Sequence, residues 1–312
     1  MPLPSADTVV LYPLGSESPE SLVASATVLH VQPYSDGHEL VLLDRTPAHP
    51  VDLAWPDQGT DLGTILVGQR QQPLVDVLVG ATDGTNLFVG ADVPVRRGTE
   101  GWAFVVVHVL AEPSRIALGD RVVVTADADH RHALSVGHTL CHLASLALNA
   151  AVADRWSKPV NDDALGDPDF DHEAIQSSTI VPHGSVDVFR LNKSLRRKGF
   201  TLDGLDDALD GIRNMIASTL QRWIATDAPV SIETEGDGLS DARFWACTLP
   251  EGAARIACGG THVASLGELG EVSVELLLGD DAGTTTLTMR CTASTGGAPH
   301  GSASAYEEPR SA

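Results

Sequence analysis

The sequence predicts an α+β fold, and three observations carry that prediction. Short Val- and Leu-rich runs, punctuated by Gly, Pro and Asp, fill about residues 22–126. Two later stretches repeat apolar residues at helical spacing. Further strand-like runs follow each of them. The order strands, helix, strands, helix, strands puts a β-rich first part before an α+β second part. A chain of 312 residues is long enough for about two domains. Their expected bounds are 22–127 and 128–291. A poorly ordered stretch, 1–21, precedes them and a Ser/Gly/Ala/Pro-rich disordered tail, 292–312, follows.

In the first part the strand-like runs are Ala24–Val31, His38–Asp44, Thr64–Val67, Leu74–Val79 and Trp102–Leu110, with Arg121–Thr125 as the last. Short strands at this spacing suggest a small barrel or sandwich. Leu140, Leu143, Leu146, Ala147 and Ala151 then predict a helix from His138 to about Arg155. Residues 157–173 are acidic and contain Gly and Pro, which predicts a loop. Short strands are expected at Thr179–Val181 and Val186–Leu191. Leu205, Leu209, Ile212, Ile216, Leu220 and Ile224 form one apolar stripe, predicting a helix over Leu205–Ile224 that packs on a sheet. Pro229 follows, then strands at Val230–Thr234, Phe244–Leu249 and Arg255–Ala257. Val272–Leu278 and Thr284–Arg290 predict a hairpin around Gly279-Asp280-Asp281. No internal repeat is visible.

Charge narrows the function classes. The formal net charge is −22, and the lysines are Lys158, Lys193 and Lys198. That balance argues against a general nucleic-acid binder and against a DNA partner, because phosphate contacts need Lys and Arg. Arg190, Lys193, Arg196, Arg197 and Lys198 are a local exception; taken alone, the run is a solvated surface stretch. No apolar run reaches the roughly 20 residues of a membrane span. Met1–Asp7 lacks the basic start of a secretion signal, so a cytoplasmic protein without a membrane partner is expected. Cysteine usage agrees, since the four cysteines show no short disulfide-like spacing. No feature of the sequence fixes an oligomeric state.

Two short motifs carry chemistry: His138-Thr139-Leu140-Cys141-His142 and, 120 positions on, Cys258-Gly259-Gly260-Thr261-His262. Each sets two metal-type ligands four positions apart. Together, His138, His142, Cys258 and His262 are the ligand types and number of a tetrahedral zinc site. On a helix His138 and His142 share one face. Thr139 follows the first His, so the Glu base of a metalloprotease helix is missing. Gly259 and Gly260 permit a tight turn between Cys258 and His262. A closed four-ligand site is structural and an open one catalytic, and ligand counting leaves both readings standing. His130 and His132 read as a solvated turn, and Cys247 and Cys291 as inert thiols.

These motifs resemble the HxxxH and CxGTH pairs of the alanyl-tRNA synthetase editing domain and of its free-standing relatives, the AlaX-type trans-editing deacylases. Asp44-Arg45-Thr46-Pro47 with Asp57–Ile65 resembles the family's TPF…GGQ-x-x-D-x-G-T segment, with Gln58 and Asp61 at its Gln and Asp. Gln176–Val181 is similar to Q-x-G-S-L-V, and Arg213–Ile216 to the family's Asn-containing helix. The resemblance covers about residues 24–290. It implies an N-terminal β-barrel domain followed by an α+β editing domain of the threonyl/alanyl-tRNA synthetase type. It also implies zinc-dependent hydrolysis of the ester in mischarged aminoacyl-tRNA, in trans.

Under that resemblance, Zn2+ is held by His138, His142, Cys258 and His262. Gln176 and Thr261 are candidates for contacts near the ester carbonyl. Cys141 walls the acyl pocket; no relay marks it as a nucleophile. Gln58 and Asp61 face substrate or tRNA, and the basic run 190–198 meets acceptor-stem phosphates. Three departures bear on the acyl group: Pro56-Asp57 replaces Gly-Gly, Cys141 replaces a small Thr or Ala, and residues 157–173 intervene before Gln176. The expected acyl group is serine or glycine on alanine tRNA. The alternatives are threonine or an analogue such as fluorothreonine, a different ester, and a non-catalytic zinc-stabilised RNA-binding module.

Overall fold

The computed structural model describes residues 3–14, 18–52 and 55–294. Its organisation is α+β. In the N-terminal part, β1 (Val9–Val10), β2 (Val23–Pro33), β3 (Glu39–Leu43), β4 (Arg45–Thr46), β5 (Gly63–Val67), β6 (Arg70–Thr82), β7 (Leu87–Val89), β8 (Ala103–Leu110) and β9 (Arg121–Ala126) follow in order. Seven of them form one antiparallel sheet in the order β5-β9-β2-β3-β8-β6-β7. A further β5–β6 pairing joins the first strand to the sixth, so the sheet is ring-like with β7 at its edge. Alternation drives this: every second residue of Val122–Ala126 is buried. Strand β8 is buried along its whole length. Phe104, Val106 and Leu110 face the interior with Val28, Val41 and Val124. Val105, Val107 and Val109 pack outside the ring on Leu40 and Leu42.

The expected disorder of residues 1–21 is corrected for the described residues. Val10, Leu11 and Tyr12 are buried. Strand β1 pairs in parallel with β4, and Val10 N–H donates to Asp237 O at 2.9 Å. Tyr12 stands edge-on to His49, ring centroids 4.9 Å apart, below the Arg243 guanidinium. Pro, Ser and Glu dominate the composition there, but three apolar side chains anchor the segment. Residues 1–2 and 15–17 of the expectation lie outside the described residues.

The second part contains α1 (Ala128–Ala151), α2 (Phe170–Ala174), β10 (Ile175–Val181), β11 (Gly184–Arg190), α3 (Lys193–Lys198), α4 (Leu205–Ile224), β12 (Val230–Thr234), β13 (Arg243–Leu249), β14 (Gly252–Ala257), β15 (Glu271–Asp281) and β16 (Thr284–Ser294). The antiparallel sheets are β10-β11-β16-β15 and β12-β13-β14. Helix α4 lays Ile212, Ile216 and Leu220 against β15 and α1. Helix α1 crosses β10, β11 and β16, burying Val136, Leu140, Leu143 and Leu146. No helix among the described residues is long and apolar enough to cross a membrane.

Several boundaries differ from expectation. Helix α1 starts ten residues before His138, where the Asp127 carboxylate accepts the His130 N–H at 2.9 Å as an N-cap. His130 and His132 are therefore in its first turns. The loop expected over 157–173 contains the start of α2. The β15–β16 turn falls at Ala282-Gly283, since Asp281 pairs with Thr284; both turn residues have positive φ, +51° and +82°, as a two-residue hairpin turn requires. The tail expected from 292 is corrected at its first residues, because β16 runs to Ser294; residues 295–312 of that expectation lie outside the described residues.

Two contacts fix the position of α1. A Cβ on Gly137 would lie 2.5 Å from both Val181 O and Gly184 O, so only glycine lets the helix rest on the β10–β11 turn. Arg131 reaches back into the ring-like sheet. It pairs with the buried Asp61 carboxylate and donates to Pro47 O at 2.8 Å and Ser21 O at 3.2 Å.

Candidate metal centre

Helix α1 carries His138 and His142 on one face, and the segment leaving β14 carries Cys258 and His262. The fold brings the two pairs together. One donor atom from each of the four residues lies within 4.8 Å of all the others. Cys258 Sγ is 3.4 Å from His138 Nε2 and 3.2 Å from His262 Nε2. The His138 and His262 ring centroids are 4.5 Å apart. Gly260 makes this approach possible: a Cβ there would overlap the His138 ring and sit 2.6 Å from Gln58 Oε1.

Outer contacts turn the donors inward. His138 Nδ1 is 2.7 Å from Gln58 Oε1, and His262 Nδ1 is 3.1 Å from Thr139 Oγ1. Each ring then presents Nε2 to the cluster, as partners of metal-bound histidines do. His142 Nε2 is buried and has no hydrogen-bond partner among the described residues. Such an atom costs free energy unless something binds it. Burial lowers His142 to about 4, and burial with neighbouring imidazoles holds His138 and His262 well below the usual histidine range. All three are therefore neutral ligands at neutral pH. Burial pushes the Cys258 thiol up to about 12, so a cation is required to hold it as the thiolate. Three imidazoles and a thiolate suit zinc.

Two cavities open on the cluster, and Trp55, Asp57, His138 and His142 line both. One, of about 640 Å³, runs along α1 past Cys141, Ser145 and Asn149. The other, of about 500 Å³, is bounded by His49, Arg97, Phe244 and Gly259. In the larger cavity Asp187 Oδ1 accepts the Ser178 hydroxyl at 2.6 Å, and Oδ2 accepts that of Ser185 at 2.9 Å. Cys141 Sγ lies 3.5 Å from Asp187 Oδ1. Burial and that carboxylate push the Cys141 thiol well up, so it stays protonated and walls the pocket. Burial also raises Asp171 to about 7 and Asp57 to about 6.

The remaining expected site residues separate. Thr261 is buried, and its hydroxyl accepts from Gln58 Nε2 and Ser135 Oγ, each at 2.9 Å. It fixes Gln58 and lines neither of the two cavities that His138 and His142 share. Gln176 does not join the cluster. It sits at a β-bulge of β10, exposed, and donates to Asp281 Oδ2 at 3.2 Å. Gln58 and Asp61, expected to face tRNA, are both 1% exposed. Gln58 orients His138, and Asp61 holds Arg131 and the His49 N–H at 2.6 Å. Arg190, Lys193, Arg196, Arg197 and Lys198 are exposed, the last four on the short helix α3, with Lys198 paired to Glu173.

Sequence reasoning missed Asp57, Asp171, Ser178 and Asp187 as site residues. Asp187 did leave a signal: on β11 it alternates with the buried Ser185 and Phe189, a carboxylate on a core-facing position. Asp57 was visible only as a departure from a glycine pattern.

No family model matches the chain. A curated relative does: the alanyl-tRNA editing protein AlaX-M of Pyrococcus horikoshii is 26% identical over 165 residues. That match covers 53% of this chain and 59% of the relative, so the chain spans little over half the length of the protein it matches. With the four motif donors converging as the resemblance requires, the chain is a homologue of the AlaX-type alanyl-tRNA editing proteins.

Proposed function

We propose that this protein hydrolyses the ester linking a wrong amino acid to tRNA, acting in trans with Zn2+ at His138, His142, Cys258 and His262. The observation that carries the reading is the convergence of two motif pairs 120 positions apart into one set of neutral imidazoles and a thiol. The similarity to AlaX-M supports the substrate class. We read the ring-like sheet as the barrel domain of that family.

A zinc ion bound there supplies Lewis acidity toward the ester or its attacking water. The chain's own residues do the rest. Gln58 and Thr139 hold the His138 and His262 rings so that their Nε2 atoms face the site. Thr261, whose hydroxyl also accepts from Ser135, in turn holds Gln58. The aminoacyl group fits the larger cavity, where Cys141, Ser178 and Asp187 form a wall rich in acceptors. The Ser178 hydrogen is committed to Asp187, so its oxygen is left to accept. Such a wall suits a seryl hydroxyl, and the size of the cavity favours threonine or a threonine analogue as the second reading. We assign Arg190, Lys193, Arg196 and Arg197, exposed on and beside α3, to contacts with tRNA phosphates, a reading that their charge supports.

The deciding experiment is a deacylation screen of seryl-, glycyl-, threonyl- and alanyl-tRNA with wild type and Cys258→Ala. Turnover of at least one mischarged tRNA, lost in the variant, is expected. Absence of turnover with every one of them overturns the proposal.

A further inference from the structure

With the aminoacyl group in the larger cavity, the smaller one, of about 500 Å³, faces the other half of the ester. Two guanidinium groups line it, those of Arg97 and Arg243. Arg97 comes from the loop before β8 and reaches the turn that carries Cys258. A Cβ on Gly259 would lie 3.9 Å from Arg97 Nη1. Arg97 Nη2 donates to Asp52 Oδ2 at 2.6 Å, whereas Nη1 meets no acceptor among the described residues. Arg243 is 4% exposed and donates to two neutral carbonyls, Gly238 O at 2.5 Å and Leu239 O at 3.2 Å. Its Nε is buried without a partner among the described residues. A buried cation held only by neutral carbonyls favours an anion in the cavity it borders.

A third cavity, of about 540 Å³, shares Asp52 and Arg97 with the smaller one. It is apolar along Val79, Val93, Val95 and Phe104, and it touches none of the metal donors. Arg97 therefore stands between a cavity that opens on the metal cluster and one that does not. A phosphodiester separates consecutive nucleotides, so a guanidinium shared by successive cavities matches the repeat of a single strand. An aromatic platform is present as well. Trp55 is 43% exposed and lines the smaller cavity where it meets the larger. Its loop is pinned: Trp55 O accepts the Asp57 N–H at 2.9 Å, and Asp57 O accepts the Ile180 N–H of β10 at 2.8 Å. A fixed, exposed indole beside arginines is the equipment that holds unpaired bases.

We propose that the smaller cavity takes the 3′-terminal nucleotide of the RNA, with its base on Trp55 and its 5′-phosphate on Arg97, and that the third cavity takes the nucleotide before it. The ester then lies at one end of the terminal nucleotide, toward the metal cluster, and the phosphate at the other. Arg97 and Trp55 are substrate-binding residues in this arrangement, and Arg243 supports the phosphate through its field.

The inference rests on the aminoacyl-tRNA reading, but its test needs no ester. Uncharged RNA hairpins ending in CCA, or in CC without the terminal adenosine, are titrated by fluorescence anisotropy at several salt concentrations. The full chain is used as wild type, Arg97→Gln and Trp55→Ala. Both side chains are exposed or partly so, and an exposed ion pair contributes little to folding, so both variants should fold. Wild type should bind the CCA hairpin roughly tenfold more tightly than the CC hairpin, the effect of one stacked base. Each variant should lose most of that preference while binding the CC hairpin as wild type does. Arg97→Gln should also lower the salt slope for the CCA hairpin by about 0.7 and leave that for the CC hairpin unchanged, which a purely structural role would not do. Equal wild-type affinity for the two hairpins overturns the nucleotide site. A preference that survives in both variants overturns the roles of Arg97 and Trp55. A CCA preference in a chain that deacylates no aminoacyl-tRNA would remove the proposed reaction and keep the site.

Discussion

His108 shows at the scale of one residue how this chain fixes a ring. Ala48 N–H donates to Thr46 Oγ1 at 3.1 Å; that hydroxyl lies 2.8 Å from His108 Nε2, and His108 Nδ1 lies 3.2 Å from Val41 O. The carbonyl can only accept, so Nδ1 carries the hydrogen and Nε2 accepts from Thr46. Burial lowers the ring to about 4, with the Val41 carbonyl acting in the opposite direction. An unfolded histidine titrates near 6.5. Between that value and about 4 the unfolded chain takes up a proton that the folded chain refuses. Stability present above pH ~6.5 is therefore lost as pH falls, by roughly 3 kcal/mol once the folded value is reached. Urea unfolding of wild type and His108→Gln should show the effect. The midpoint of the variant should fall less between pH ~7 and ~4.5, and equal slopes would remove His108 as the cause.

At the scale of elements, the contact of α1 with the β10–β11 turn sets the place of His138. Helix propensity alone makes Gly→Ala favourable by about 1 kcal/mol in a helix interior. At Gly137 the added Cβ would meet two carbonyl oxygens at 2.5 Å, so the sign reverses. Gly137→Ala should lower the melting temperature and weaken Zn2+ binding together; a more stable variant would refute the packing argument. Helix α4 and strand β12 were legible from the sequence to the residue, because an unbroken apolar stripe and Pro229 mark them. The first turns of α1 were not, since Asp127–His132 is polar apart from Ala128 and its helix signal is a cap. The four metal donors were legible because their spacing is local within each pair. Asp57 and Asp187 act through neighbours distant in sequence, which only the fold supplies. Gln176 is the converse case: its motif matched, and a bulge turned it outward.

For the whole molecule, the joint between the two parts is polar as well as apolar. Arg131 and Asp61 are buried together, and the guanidinium also satisfies Pro47 O and Ser21 O. Removing one partner of a buried pair costs about 3–5 kcal/mol, because the other charge is left without water or counter-ion. Arg131→Met should lose about that much in denaturant unfolding. The half-exposed pair Arg255–Glu233 offers the control, where Arg255→Met should cost less than about 1 kcal/mol in ion-pair energy. Similar losses in both would mean that the joint is held by apolar packing alone.

The loop that pins Asp57 and Gln58 has a consequence for inheritance. The chelating pairs are carried by α1 and by the turn after β14, whereas the groups that orient and tune them ride on a short segment some 80 positions upstream of His138. Drift or recombination within that segment can retune a descendant protein while both chelating motifs pass unaltered. Relatives with identical HxxxH and CxGTH signatures can thus diverge in ion preference, and the motifs alone would record no trace of the change.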